Sequence, residues 1–197
     1  SPMETPRWLI ELLEQVKRGE MLPLEAAERL RHLPYEDLGF ATIDHHRQLR
    51  QGCPEVVFCA GKELEESLAI IQNLRERGAP VLATRGSEEL FDLVKQAIPE
   101  AEFHRRCKAI TVPGDEPPPE EQGNVLVVCA GTSDIPIAEE AIVTARFLGS
   151  SVREAHDVGV AGIHRLFRRL PLLHEANVIV VVAGMEGALA SVVGGIV

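Results

Sequence analysis

Three side chains that can bind or release protons each follow a predicted strand, in a turn that contains glycine. Asp134 follows the run Val-Leu-Val-Val at 125–128, Glu186 follows the run Val-Ile-Val-Val-Val at 178–182, and His164 follows a glycine-rich stretch. Carboxylates and imidazoles are the common general acids and bases of enzymes. If the strands belong to one parallel sheet, the three turns lie at the same edge. The sequence therefore predicts that Asp134, His164 and Glu186 converge on one cleft.

Residues 131–134 (Gly-Thr-Ser-Asp) have the composition of an anion-binding turn. Gly131 permits a tight connection between a strand and a helix, and the N–H groups at a helix N-terminus attract phosphate. Thr132, Ser133 and Asp134 are also types that cap helices, so this turn alone supports capping and binding about equally. Asp134 repels a phosphate unless a metal ion or a proton lies between them, which makes it a candidate ligand of Mg²⁺.

The other two turns also have a purely structural interpretation. His164 lies off the apolar stripe of its predicted helix, so it is either a solvent-facing side chain or an acid–base group near neutral pH. Glu186 lies in the first turn of a predicted helix, where an acid favours the macrodipole without doing chemistry. The coincidence of three such turns favours a site.

A locally basic group lies in the N-terminal part of this acidic chain, around Asp44-His45-His46-Arg47. Adjacent histidines point in different directions on any regular element, which makes a two-histidine metal site improbable. The stretch is therefore either a solvated loop or a phosphate clamp, and Lys62 and Arg85, each predicted just after a strand, support the clamp.

The composition restricts the class of protein. Twenty Lys and Arg against thirty Asp and Glu give a net charge of −10, which opposes binding of nucleic acid. The four cysteines show no metal-ligand spacing, as expected for free thiols in a reducing cytoplasm. No apolar run is long enough to cross a bilayer. We expect a cytoplasmic protein with no nucleic acid or membrane partner.

The order of predicted elements indicates an α/β fold in two domains. Residues 1–112 begin with two helices and continue with strands near 55–60 and 81–84, a weaker third strand between 101 and 112, and helices between the strands. Residues 113–123 are rich in proline and acid and form a linker.

Residues 124–197 repeat the α/β pattern. Strands are predicted at 124–130, 152–155 and 177–183, the last strongly buried, and helices at 133–148 and 162–170. Within the second helix, Ile163, Leu166, Phe167 and Leu170 form the predicted buried stripe. A further helix begins at 187.

The motifs of the C-terminal part resemble the PurE-type fold of aminoimidazole ribonucleotide carboxylases, which carry Gly-Ser-x-Ser-Asp and Ala-His-Arg motifs. They are more similar to those of the LarB family, the pyridinium-3,5-biscarboxylic acid mononucleotide synthases of nickel-pincer cofactor biosynthesis. The matching motifs lie at 130–136, 157–165 and 183–189, with 44–47 and 52–56 in the N-terminal part. The resemblance covers nearly the whole chain except the linker.

This resemblance implies a carboxylase and hydrolase that acts on nicotinic acid adenine dinucleotide. Such an enzyme carboxylates C5 of the pyridinium ring with carbon dioxide or bicarbonate as co-substrate, cleaves the phosphoanhydride and releases AMP. It implies Mg²⁺, with Asp134 as its ligand, and no organic cofactor. His164 or Glu186 would be the base that removes the ring proton. The implied substrate-binding residues are Gly131, Thr132, Ser133, Asp157, Arg165, Gly184, Met185, Gly187, Asp44, His46 and Arg47.

The resemblance also implies architecture. A PurE-like three-layer α/β/α domain with a parallel sheet follows a small N-terminal α/β domain, and the chain forms a homo-oligomer, from dimer to octamer, through the PurE-like part. The sequence is expected to be incomplete at its C-terminus, where the family carries its nucleophilic cysteine. None of Cys53, Cys59, Cys107 and Cys129 lies in a motif that matches the one around the family's nucleophilic cysteine. We therefore expect this chain to bind nucleotide but not to carboxylate it.

Two alternatives remain open. One is an aminoimidazole ribonucleotide carboxylase or mutase of purine biosynthesis, although those enzymes have no long N-terminal domain. The other is a non-catalytic module that binds a nucleotide or a partner.

Overall fold

The computed structural model describes residues 7–32, 35–37, 42–44, 54–118 and 120–197. Helices α1 (Arg7–Lys17) and α2 (Pro23–His32) come first. They pack together through a small cluster of buried side chains, Leu12, Met21 and Ala26. Strands β1 (Tyr35–Asp37) and β2 (Thr42–Asp44) then form an antiparallel pair.

The first larger sheet is mixed. Its strands are β3 (Val56–Phe58), β4 (Val81–Thr84), β5 (Glu102–His104) and β6 (Ala109–Val112), in the order β3-β4-β6-β5. β3 and β4 are parallel, whereas β6 is antiparallel to both β4 and β5. The prediction of a single strand between 101 and 112 is therefore wrong. Only four residues connect β5 to β6, too few for a crossover helix, so the two strands form a hairpin.

Helices α3 (Leu64–Glu76) and α4 (Glu88–Ala97) cover one face of this sheet. Both begin at local caps. The backbone N–H of Glu63 donates to Glu66 Oε2 (3.2 Å), and Ser87 Oγ accepts the backbone N–H of Leu90 (3.0 Å). Such capping bonds satisfy N–H groups that have no partner within the helix. The two helices follow β3 and β4, as predicted.

The second sheet is parallel throughout. Strands β7 (Gln122–Cys129), β8 (Ser150–Ala155) and β9 (Val178–Val182) lie in the order β8-β7-β9. Helix α5 (Ile135–Phe147) packs on one face, and α6 (Ile163–Phe167), α7 (Leu170–Glu175) and α8 (Ala188–Gly194) pack on the other. This three-layer arrangement confirms the predicted α/β fold.

The segment between the sheets is partly packed. The backbone N–H of Asp115 donates to Gly78 O (3.0 Å), and the Asp115 carboxylate pairs with Arg75 (2.5 Å). The Cβ of any residue larger than glycine at position 114 would lie 2.9 Å from Gly78 O. β7 begins at Gln122, inside the segment predicted as a linker.

The single helix predicted at 162–170 is wrong, because α6 ends at Phe167 and α7 begins at Leu170. Pro171 lies in the first turn of α7. Proline has no backbone N–H to donate to the carbonyl four residues before it, here that of Phe167, but it suits the first turn of a helix, so α6 ends and α7 begins. The predicted buried stripe is broken accordingly: Leu166 is buried, whereas Phe167 is 48% exposed.

The predicted strong burial of the last strand is also wrong. β9 pairs with β7 alone among the described strands, and Val178 is 54% exposed. The run of Val and Ile has the composition of a buried strand. Its actual burial depends on which neighbours cover it.

Helix α5 contacts both larger sheets. Ala138 and Ile142 pack against the second sheet, whereas Val143, with Phe147 beside it, packs against the first. A helix that is apolar on opposite sides is one buried between layers. This helix therefore joins the two sheets directly. None of the described helices is long and apolar enough to cross a membrane.

Candidate functional site

The three turns predicted to carry chemistry follow strands that run in the same direction. In the register of the second sheet, Val128 pairs with Ala155, and Cys129 pairs with Val182. The C-terminal ends of β7, β8 and β9 therefore lie at one edge, as predicted. This is the edge at which open α/β sheets bind ligands.

The first turn is closed by its own aspartate. After β7, a 3-10 turn (Thr132–Asp134) leads into α5. The backbone N–H of Gly131 donates to Asp134 Oδ2 (2.9 Å), so this oxygen already accepts a hydrogen bond within the turn. The other oxygen, Oδ1, lies 3.4 Å from the position that a Cβ would take on Gly184. Asp134 thus lies between the first and third turns, with Gly131 on one side and Gly184 on the other. Thr132 and Ser133 are exposed.

The second turn is hydrogen-bonded to the first. The backbone N–H of Val158 donates to Cys129 O (3.1 Å), and that of Gly159 donates to Ala130 O (3.0 Å). Asp157, which precedes them, has a φ of +55°, a left-handed conformation that is uncommon for residues other than glycine. Such a conformation persists where the surrounding structure holds it.

Asp157 also fixes an arginine of the site edge. Its carboxylate accepts a hydrogen bond from Arg165 Nη1 (2.7 Å). The Arg165 guanidinium lies so close to Gly162 that an added Cβ would be 2.6 Å from it. Two of the predicted substrate-binding residues, Asp157 and Arg165, are therefore brought together.

His164 and Glu186 lie at the same edge but are not joined to the other residues. Both are exposed, and neither side chain forms a hydrogen bond or ion pair with a described residue. Met185 is fully exposed, and with Gly187 it has positive φ. The convergence of Asp134, His164 and Glu186 on one cleft stays a prediction.

The basic group of the N-terminal part is only partly described. The backbone of Asp44 ends strand β2. His46 and Arg47 lie outside the described residues, so their predicted role in substrate binding stays a prediction.

The sequence pattern did not reveal a chain of three side chains at the same edge. Cys129 Sγ lies 3.2 Å from His156 Nδ1, and His156 Nε2 lies 2.6 Å from Glu154 Oε2. With Glu154 accepting from Nε2–H, the neutral imidazole presents Nδ1 as an acceptor for the thiol. These contacts follow from the parallel register of β7 and β8. Val128 pairs with Ala155, so Cys129 and His156, the residues that follow them, lie side by side.

A cysteine beside a histidine that is oriented by an acid is also how enzymes activate thiols. Cys129, however, is completely buried. Burial raises the pKa of its thiol, and the carboxylates of Asp134, Asp157 and Glu154 raise it further. The thiol form is therefore stabilised, and we assign these three side chains to holding β8 against β7 below the site, not to attack on a substrate.

The other two described cysteines are in the same state. Cys59 and Cys107 are buried, and burial is the main cause of the raised pKa of each thiol. Neither has the accessible thiol of a reactive cysteine. Cys53 lies outside the described residues.

We expect these thiols to make the protein less stable at alkaline pH. Above the ordinary thiol pKa of 9.0, an unfolded cysteine loses its proton while the buried one keeps it. The native state then binds more protons, so the free energy of unfolding falls as pH rises through this range. Denaturant titrations at about pH 7 and about pH 10 will measure the loss. A Cys59→Ala, Cys107→Ala variant should show a smaller loss, because tyrosine and lysine titrate equally in both proteins. Equal losses would contradict the prediction.

The described residues do not by themselves form a metal site. Among the described residues, no group of three or more His, Cys, Asp and Glu is arranged to hold an ion. Asp134 Oδ1 is one carboxylate oxygen at the centre of the site edge. Mg²⁺ commonly takes one or two carboxylates and completes its shell with water and substrate phosphates. The residues present therefore fit Mg²⁺ that arrives with a phosphorylated ligand.

Comparisons with known proteins agree with this architecture. Residues 35–114 match the sequence model described as the LarB/PurE-like N-terminal domain, a range that includes the whole first sheet. The chain is 36% identical to an uncharacterized protein of Methanocaldococcus jannaschii, over 96% of this chain and 77% of the relative. A LarB/PurE-like domain is typical of carboxylase-related proteins. On these matches, the chain belongs to the LarB family.

Proposed function

We propose that the protein carboxylates C5 of the pyridinium ring of nicotinic acid adenine dinucleotide and hydrolyses its phosphoanhydride, releasing AMP. The observation that carries the proposal is the position of Asp134. One of its oxygens closes the Gly131 turn, and the other faces the glycine of the third turn, at the edge shared by three parallel strands. Membership of the LarB family supports the same reaction class.

The first turn suits the phosphate part of the substrate. Gly131 has no side chain to obstruct the approach of a ligand, and α5 begins a few residues later. The N-terminus of a helix favours negative charge. Asp134 Oδ1 would hold Mg²⁺, which supplies neutralisation of phosphate charge when bound. Water attacks phosphorus, the anhydride P–O bond breaks, and AMP leaves as the second phosphate monoester.

The ring chemistry needs a nucleophile and a base. A pyridinium ring is electron-poor, so a thiolate must first add to a ring carbon, which makes C5 electron-rich. C5 then forms a bond to the carbon of carbon dioxide. A base removes the C5 proton, and the thiolate leaves as the ring regains its aromatic electrons.

The described residues include candidates for the base but none for the nucleophile. His164 and Glu186 are the candidate bases, since both are exposed at the site edge and neither is held by another described side chain. None of Cys59, Cys107 and Cys129 is the thiolate, because each is buried with a raised pKa. The described residues therefore supply no thiolate for the addition to the ring.

Self-association is also part of the proposal. Apolar side chains remain exposed on both sides of β9, with Ile137 of α5 and Leu148 just after that helix beside one face and Val197 beside the other. Surfaces of this kind are commonly covered by protein. A homo-oligomer is expected in sedimentation velocity, and a monomer at all concentrations would contradict it.

The test is incubation of the protein with nicotinic acid adenine dinucleotide, bicarbonate and Mg²⁺, with AMP and carboxylated pyridinium mononucleotide detected by mass spectrometry. Binding is measured in parallel by the ligand-dependent shift of Tm. A Tm shift without product supports the binding half of the proposal. Carboxylation of aminoimidazole ribonucleotide, without any shift by the dinucleotide, would replace this function by the purine reaction. No shift with either compound would contradict both.

A further inference from the structure

One edge of the first sheet concentrates positive charge in a chain whose net charge is −10. β3 and β4 end at this edge. β5 also ends there and β6 begins there, because β6 runs antiparallel to both β4 and β5. The residues that follow or precede these strand ends form what we call the cationic edge: Lys62, Arg85, Arg105, Arg106 and Lys108.

Three of these cations already have partners. Arg85 Nε lies 3.4 Å from Glu140 Oε2 of α5, and Arg105 pairs with Glu88. Lys62 Nζ donates to Phe58 O (2.8 Å). The remaining two, Arg106 and Lys108, are exposed and form no side-chain hydrogen bond or ion pair with a described residue. They are therefore available to an external anion.

The connections that carry Arg85 and Lys108 are tied to each other. The backbone N–H of Gly86 donates to Lys108 O (2.8 Å). Both cations have positive φ, at 58° and 55°. The backbones of the two connections are thus held side by side, which fixes the positions from which Arg85 and Lys108 extend.

Helix α5 places this edge beside the candidate site. Its C-terminal half packs on the first sheet through Val143, while its N-terminal half meets the cationic edge through Glu140. Glu140 lies six residues after Asp134, or about 9 Å along a helix. Arg85 of the cationic edge therefore contacts α5 about 9 Å along the helix axis from Asp134.

We propose that the cationic edge binds the AMP half of the dinucleotide while the pyridinium mononucleotide half lies at the Gly131 turn. This inference rests on the proposed function. A dinucleotide carries phosphate between two nucleosides and extends beyond a single strand-end turn. Arg106 and Lys108 supply the charge that the acidic site edge lacks, because a phosphate is stabilised by charge-assisted hydrogen bonds from Arg and Lys.

Acidic side chains near the cationic edge limit which of its basic side chains can bind an anion. Glu140 neutralises Arg85, and both Glu139 and Glu140 act on the neighbouring Cys107, raising its thiol pKa. Glu88 similarly occupies Arg105. The anion is therefore held mainly by Arg106 and Lys108, and its affinity decreases as salt concentration rises.

The experiment uses a double variant, Arg106→Gln with Lys108→Asn. Asparagine tolerates positive φ, so the connection keeps its conformation. The matched control is Arg168→Gln with Arg169→Asn, which removes the same charge from exposed arginines between α6 and α7. Titration calorimetry measures binding of nicotinic acid adenine dinucleotide, AMP and nicotinic acid mononucleotide to each protein.

The double variant should bind AMP and the dinucleotide roughly 10-fold more weakly than the control variant does, and nicotinic acid mononucleotide equally well. Equal weakening in the control would assign the effect to net charge and overturn the proposal. Equal weakening for nicotinic acid mononucleotide would overturn it too, as would failure of the unmodified protein to bind AMP. If the variant retains the dinucleotide affinity of the unmodified protein, the cationic edge is not the AMP subsite, while the proposed function still stands.

Discussion

Replacing Asp134 by asparagine is expected to lower the rate of AMP release from nicotinic acid adenine dinucleotide by roughly 10²–10³-fold relative to the unmodified protein. Asparagine keeps an oxygen that can accept the Gly131 N–H, so the turn is retained. What is lost is the negative charge on the oxygen that faces Gly184. A defect in rate with little change in Tm is the expected signature.

The matched control for this substitution is Asp92→Asn, which removes an exposed carboxylate of α4 on the first sheet. It should leave AMP release unchanged. A second measurement tests whether Asp134 acts at the position described. Its carboxylate helps to raise the pKa of Cys129, so Asp134→Asn should lower that thiol pKa. Unchanged turnover in Asp134→Asn would remove Asp134 from the reaction and leave it only the role of closing the turn.

Sequence reasoning succeeded where the signals were local. The helices that follow the first two strands of the first sheet were predicted, because the residues that pack such a helix are spaced within a few turns of one short stretch. The shared edge of the three turns was also predictable. Alternation of strands and helices implies parallel strands, and parallel strands end together. Both inferences need only neighbouring residues and a rule of topology.

The failures were non-local. The apolar residues of β9 predicted deep burial, but burial is set by which strands and helices lie beside it. The interaction of Cys129 with His156 and Glu154 depends on the register between two strands, which no single stretch of sequence contains. The position of the cationic edge depends on α5 packing between two sheets, a contact between segments far apart in the chain.

Gly159 tests whether the second turn supports the first. Its φ of −58° is one that any residue can adopt, so an alanine there introduces no backbone strain. The added Cβ would, however, lie 2.9 Å from Ala130 O, a backbone atom that cannot rotate away. That same carbonyl accepts the Gly159 N–H at 3.0 Å. The clash therefore forces apart the two turns that this hydrogen bond holds together.

Gly159→Ala is expected to lower the free energy of unfolding by about 1–3 kcal/mol, the usual cost of overpacking. For a chain of this size, that corresponds to roughly 2–4 °C in Tm for each kcal/mol. The matched control is Gly194→Ala in α8, where an added Cβ meets nothing within 4 Å. There, alanine should be neutral or should stabilise by about 0.5–1 kcal/mol, because it loses less backbone freedom in a helix. Because Ala130 precedes the Gly131 turn, Gly159→Ala should also weaken binding of nicotinic acid mononucleotide, whereas Gly194→Ala should not. If the two variants have the same Tm and the same affinity, the first and second turns are not coupled through this contact.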